Sequence, residues 1–140
     1  MEFVKLVPHA KIPTKAYVDD AGLDLYLSED VVVRPQQFVD APTGVAGALP
    51  EGTWGKISGR SSTLRNYGLF VAEGVIDQGF RGELLIGLFN VSRSVVRLPA
   101  GSRVAQLIIV PRFMQDQSAV EVEQLPPGER GLSGFGSSGA

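Results

Sequence analysis

Gly59-Arg60-Ser61-Ser62 opens a short stretch with helical character, and its residue types suit an anion. A helix N-terminus presents unpaired N–H groups and a partial positive charge, and two hydroxyls and a guanidinium beside it would complete a phosphate site. The same residues also read as an ordinary N-cap followed by an exposed arginine. Residues 130–140 place four glycines and three serines around one arginine and one aromatic ring. Such a segment cannot build a packed core element and is expected to be flexible without a partner. Its glycines would let backbone N–H groups approach an anion, Arg130 could fork onto a phosphate, and Phe135 offers a ring face to a base. A plain Gly/Ser tail is the other reading. Asp77 stands where an apolar strand pattern meets the turn Asp77-Gln78-Gly79-Phe80-Arg81-Gly82. A carboxylate on a rigid element can orient a water or take its proton, although Asp beside a glycine-containing turn often only caps it. Asp24, in Ala21-Gly22-Leu23-Asp24-Leu25, either faces a metal–water complex or points outward from a half-buried strand. Arg103 and Gln106 put polarity into an apolar strand pattern, and Phe80 taken alone reads as core.

The elements that must position these residues are mostly short strands. Strand patterns fall at residues 3–6, 22–26, 31–33, 38–42, 52–57, 69–75, 83–90, 95–98, 103–111 and 119–124, separated by Gly and Pro. Residues 69–76 and 83–90 read as a hairpin around the Asp77 turn. One helix signal, residues 61–68, starts with hydroxyls suited to capping and stops at Gly68. The expected fold is therefore all-β, a jelly-roll-like sandwich or barrel with one short helix. Residues 1–125 would form the β domain and residues 126–140 an arm outside it.

Composition narrows the chemistry. The 140-residue chain suits one domain, and its 44% hydrophobic content suits a globular core. It has no cysteine, so disulfides, thiolate metal sites and cysteine nucleophiles are excluded. His9 is the only histidine and reads as a surface residue, which leaves Ser-His-Asp catalysis and multi-histidine zinc sites without material. A net charge of −2 does not favour a nucleic-acid polymer and points to a small ligand. No apolar run approaches the length of a membrane span, the first residues lack the pattern of a signal peptide, and a cytoplasmic location is expected.

Five motifs in order, Ala21–Leu25, Gly59–Ser62, Gly74–Gly82, Gly101–Leu107 and Arg130–Gly139, resemble those of the trimeric dUTPase family. The family patterns are AGxDL, PRSS or similar, GxIDxxYRG, GxRxAQL and RGxGGFGSTG. The resemblance implies the dUTPase-like β-clip, a homotrimer with shared active sites, and hydrolysis of dUTP to dUMP and diphosphate with Mg²⁺. Carried over by position, Asp77 activates the water that attacks the α-phosphorus. Asp24 stands on the metal side, through metal-bound water. Arg60, Ser61, Ser62 and Gln106 hold phosphates, and the region of Val71, Gly74, Ile76 and Leu85 reads uracil largely through backbone groups. Phe80 packs on the deoxyribose. Arg130 and Ser137 reach the γ-phosphate from another subunit, Phe135 covers the base, and Gly136 is a further substrate-binding position.

The chain departs from the pattern at four positions. Gly59 replaces a common Pro and loosens the turn before Arg60. Phe80 keeps the ring of the usual Tyr without its hydroxyl, Gly79 replaces an acid, and Ser133 replaces a tail glycine. Two other readings stand beside dUTP hydrolysis: a dCTP deaminase of similar fold, and a nucleotide-dependent regulator that binds a protein partner.

Overall fold

The computed structural model describes residues 1–113 and 118–128. In chain order the elements are β1 Glu2–Lys5, β2 Gly22–Tyr26, β3 Val31–Val33, β4 Phe38–Ala48 and β5 Thr53–Gly59, then α1 Ser61–Tyr67. They continue with β6 Leu69–Val71, β7 Gly74–Ile76, β8 Glu83–Asn90, β9 Val96–Leu98 and β10 Arg103–Pro111. The strands form two four-stranded sheets, β1-β4-β8-β6 and β2-β10-β5-β7, and a two-stranded sheet, β3-β9. All pairings are antiparallel. Neither large sheet closes on itself, so the fold is a jelly-roll-like sandwich and not a closed barrel.

Alternation along the strands creates the core. In β8, Leu84, Ile86, Leu88 and Asn90 are buried while the residues between them are exposed or half-buried. Leu84, Ile86 and Leu88 join Leu25 and Leu107 of one four-stranded sheet, Leu69 of the other and Val33 of the small one in a single cluster drawn from all three sheets. Each fully buried aliphatic side chain there contributes about 1.5–3 kcal/mol relative to exposure. Asn90 is the exception that fits. Its amide donates to the carbonyls of Val33 and Ser94, both at 2.8 Å, and its oxygen accepts from Ser92, so no polar atom is left unpaired.

Four sequence expectations need correction. β4 does not end at Pro42 but runs to Ala48, because an irregularity between Pro42 and Ala46, with Gly44 at φ +67°, absorbs the missing proline N–H and lets pairing resume. Residues 69–76 are not one arm of a hairpin. β6 pairs with β8, but after Ala72 and Glu73 the chain changes sheet and β7 pairs with β5. Residues 119–124 form no strand; Val120 and Val122 are exposed, and their alternating pattern has no neighbouring strand to supply hydrogen bonds. Finally, the hydroxyls of Ser61 and Ser62 do not cap α1. Arg60 is the N-cap residue, with no side-chain cap, while Thr63 Oγ1 donates to Val104 O at 2.7 Å and ties the helix to β10. The helix ends as expected, with Gly68 left-handed at φ 64° and its N–H returned to Leu64 O. Among the described residues, no helix is long and apolar enough to cross a membrane.

Candidate active site

Strand register builds the centre of the site. Gln106 of β10 lies opposite Asp24 of β2 on one side and Ser58 of β5 on the other. Arg60 leaves the end of β5, and Arg103 starts β10, so both guanidiniums arrive at the same end of these three strands. Asp24 is 8% exposed. It does not point outward, and both carboxylate oxygens are already engaged: Oδ1 by Arg60 Nε at 2.8 Å, Oδ2 by Arg103 Nη1 at 3.0 Å. A buried carboxylate needs such partners to remain charged away from water. Arg60 Nη1 also donates to the carbonyl of Arg103 at 3.3 Å, which closes the network. Beside it, Gln106 Nε2 donates to Gly59 O at 3.2 Å. A Cβ at Gly22 would stand 2.6 Å from Gln106 Oε1, so glycine is required there for this amide to lie flat on β2.

Asp20, Gly22, Asp24, Arg60, Ser61 and Gln106 line a polar pocket of about 220 Å³. A second, largely apolar pocket of about 260 Å³ adjoins it through Arg60 and Ser61 and is walled by Leu64, Leu69, Phe70 and Val71. Val71 itself is buried against Gly59. Ser62 is half-buried in the first turn of α1.

The Asp77 turn is held by other means. Phe80 N–H donates to Asp77 O at 3.0 Å, Gln78 Oε1 accepts from Gly52 N–H at 3.1 Å, and Arg81 Nη1 donates to the carbonyls of Gln78 and Phe80, each at 2.8 Å. The carboxylate of Asp77 takes no part in these bonds and is exposed. Phe80 is not core: it is 41% exposed, and its ring lies over Gly82, where a Cβ would come within 2.5 Å of it. Gly74 and Ile76 are half-buried on β7, Leu85 is exposed on β8, and Gly79 has open space around it. β7 is the outer strand of its sheet, so one edge of Gly74–Ile76 offers backbone donors and acceptors to a ligand.

The two groups of residues stand apart on one chain. Ile76 pairs with Gly55, which sets Asp77 across from Trp54, six residues short of Arg60. At about 3.3 Å per strand residue the separation along β5 is about 20 Å. Arg130, Ser133, Phe135, Gly136 and Ser137 lie outside the described residues.

Sequence reasoning undervalued Arg103, Gln78 and Arg81. Arg103 could have been found from its spacing: three residues before Gln106 on a strand beside the one that carries Asp24, it has a carboxylate within reach. Gln78 and Arg81 act on backbone carbonyls and amides, which leave no sequence signal.

The metal expectation meets a sparse donor set. Among the described residues no cluster of three or more His, Asp or Glu side chains could hold an ion. Asp24 is doubly paired, and Asp20 Oδ2 accepts from the N–H groups of Ala16 and Tyr17. These residues do not fit a cation caged by the protein. They fit one that arrives on a ligand's oxygens with its own water shell.

Geometry of this kind defines a jelly-roll β protein with a polar pocket at one end of a sheet and an exposed carboxylate on a separate pinned turn. The family model described as dUTPase matches residues 8–139. The deoxyuridine 5'-triphosphate nucleotidohydrolase of Nocardia farcinica is 44% identical over 138 residues, which cover 96% of this chain and 82% of the relative. That of Candida glabrata is 40% identical over 131 residues, covering 94% and 90%. The Staphylococcus bacteriophage 80alpha dUTPase with dUPNHPP superposes with a TM-score of 0.92 at 30% identity, over 99% of this chain and 98% of that one. The chain belongs to the dUTPase family.

Proposed function

We propose that the protein hydrolyses dUTP to dUMP and diphosphate at sites shared between copies of a homotrimer. The separation of Asp77 from the Arg60 pocket carries this reading. A triphosphate spans only a fraction of about 20 Å, so one chain's Asp77 cannot attack a phosphorus whose neighbours are held by the same chain's Arg60. A cyclic assembly places the Asp77 turn of one copy against the anion pocket of the next.

Arg60, Ser61, Ser62 and Gln106 bind the phosphates in this scheme, and Asp77 accepts a proton from the water that attacks the α-phosphorus. The free edge of β7 pairs with uracil, and the exposed ring of Phe80 packs on the deoxyribose and crowds a 2′-hydroxyl. Asp24 would hold Mg²⁺ through bound water, and the ion would supply charge neutralisation for the leaving diphosphate. Residues 126–140 form an arm: Arg130 and Ser137 reach the γ-phosphate, Phe135 covers the base, and Gly136 adds a further contact with the substrate. Net charge supports a nucleotide over a nucleic-acid polymer as partner.

Product analysis tests the reading. Diphosphate and dUMP are expected from dUTP, with dTTP and dCTP turned over far less, because backbone groups on a strand edge cannot adapt to a 5-methyl or an exocyclic amine. Ammonia released from dCTP without diphosphate from dUTP would replace it with a deaminase.

Gly22→Ala probes the phosphate side. Its methyl group must displace the Gln106 amide, and loss of one such contact should lower kcat/KM for dUTP about tenfold, equivalent to about 1.4 kcal/mol. Unchanged kinetics in a folded variant would remove Gln106 from phosphate binding.

A further inference from the structure

We propose that Arg103 is a positioning residue for phosphate binding, acting on Arg60 through the carboxylate of Asp24. The inference rests on Arg60 as a phosphate ligand and adds a role for a residue that the site as described leaves unused.

Arg60 is a long side chain at a strand-to-helix junction, with many rotamers available to it. Three contacts restrict it: Nε to Asp24 Oδ1, Nη1 to the carbonyl of Arg103, and the packing that leaves its side chain 30% exposed. These engage Nε and Nη1 of a guanidinium whose residue also lines the polar pocket. Asp24 can hold Nε in this way only while its own carboxylate is fixed, and Arg103 Nη1 fixes its second oxygen at 3.0 Å. Arg103 thus braces one anchor of Arg60, the Asp24 carboxylate, with its side chain and supplies the other with its main chain.

Charge points the same way. Arg60 and Asp24 alone would be a neutral pair, with little attraction for a polyanion. Adding Arg103 makes a trio with one net positive charge, which offsets the carboxylate of Asp20 in the lining of the same pocket. Arg103 is the more exposed of the two arginines, with 45% of its side chain accessible, and it does not line the pocket itself. Its effect on an anion is therefore expected to pass through Arg60.

The test is a double-mutant cycle on the assembled protein, read by calorimetric binding of dUPNHPP and of dUMP and by dUTP kinetics. Arg103→Ala is expected to weaken dUPNHPP binding about tenfold or more and to raise KM for dUTP, while dUMP binding, which lacks the outer phosphates, changes little. In an Arg60→Ala background the same substitution is expected to have no further effect. Arg103→Lys, which keeps the charge but offers no fork, should recover part of the loss. Equal losses from Arg103→Ala in both backgrounds, or no loss in either, would overturn the proposal. If Arg103→Ala fails to assemble, Arg103→Lys and Arg103→Gln complete the cycle, and equality of their effects in the two backgrounds overturns it likewise. Wild-type dUPNHPP affinity in Arg60→Ala alone would mean instead that the phosphate site itself is misplaced.

Discussion

Asp77→Asn is expected to lower kcat for dUTP by about 10²–10⁴, the range supplied by a positioned general base, with dUPNHPP binding little changed. The amide matches the carboxylate in size but cannot accept the proton of the attacking water. The turn should survive, because its bonds come from the main chain of Asp77 and Phe80 and from the side chains of Gln78 and Arg81, not from the Asp77 carboxylate. Circular dichroism and analogue binding on the same preparation separate lost chemistry from lost structure. Near-normal turnover would take Asp77 out of the water-activating role.

The same variant tests how the site is divided. Asp77→Asn and Arg60→Ala chains, each inactive alone, can be co-refolded in equal amounts. If Asp77 of one copy serves the pocket of its neighbour in a three-membered ring, every mixed trimer regains one intact site. Random assembly then restores about a quarter of wild-type activity. A site contained within one chain restores none, since each chain carries one defect.

Much of this was legible in the residues. Strand patterns at β2, β3, β8 and β10 matched the observed bounds because their apolar residues alternate or run together between clear Gly and Pro stops. β7 was misread because pairing is a long-range property. Nothing in Leu69 to Ile76 says that the chain changes sheets at Ala72 and Glu73; that depends on β5 being there to receive it. Residues 119–124 were misread for the related reason that an alternating pattern becomes a strand only beside a free edge. At the site, residue types identified Arg60, Gln106 and Asp24, and the register explains why they meet: two residues opposite each other on β2 and β10, and an arginine at the end of the next strand. Charge pairing was not legible. Asp24 between leucines gives no hint that two guanidiniums will close on it.

Removal of residues 130–140 is expected to abolish most dUTP hydrolysis while leaving the fold and the trimer in place. Every buried apolar residue among those described lies between Ala10 and Leu107, and the strands that hold Asp24, Arg60 and Asp77 end at Pro111. With the described core retained, melting temperature is expected to fall by only a few degrees, the shift that about 1 kcal/mol produces in a domain of this size. In the proposed site, loss of the segment would take Arg130 and Ser137 from the γ-phosphate and the Phe135 ring from the base. Single variants divide the effect. Phe135→Ala should weaken dUPNHPP binding by about 1–3 kcal/mol, the scale of one base–aromatic stack. Arg130→Ala should act mainly on kcat, because a charge-assisted bond to the outer phosphates gains strength as negative charge moves onto the leaving diphosphate. The β7 edge and the Arg60 pocket would still hold the two ends of the nucleotide in the truncated protein, so weak dUMP binding should persist while bulk water competes at the α-phosphorus. Melting curves, mass by light scattering and dUTP kinetics on truncated and full-length protein decide the matter. Full activity after truncation would show that residues 130–140 do not complete the site, and dissociation to monomers would assign them to assembly instead.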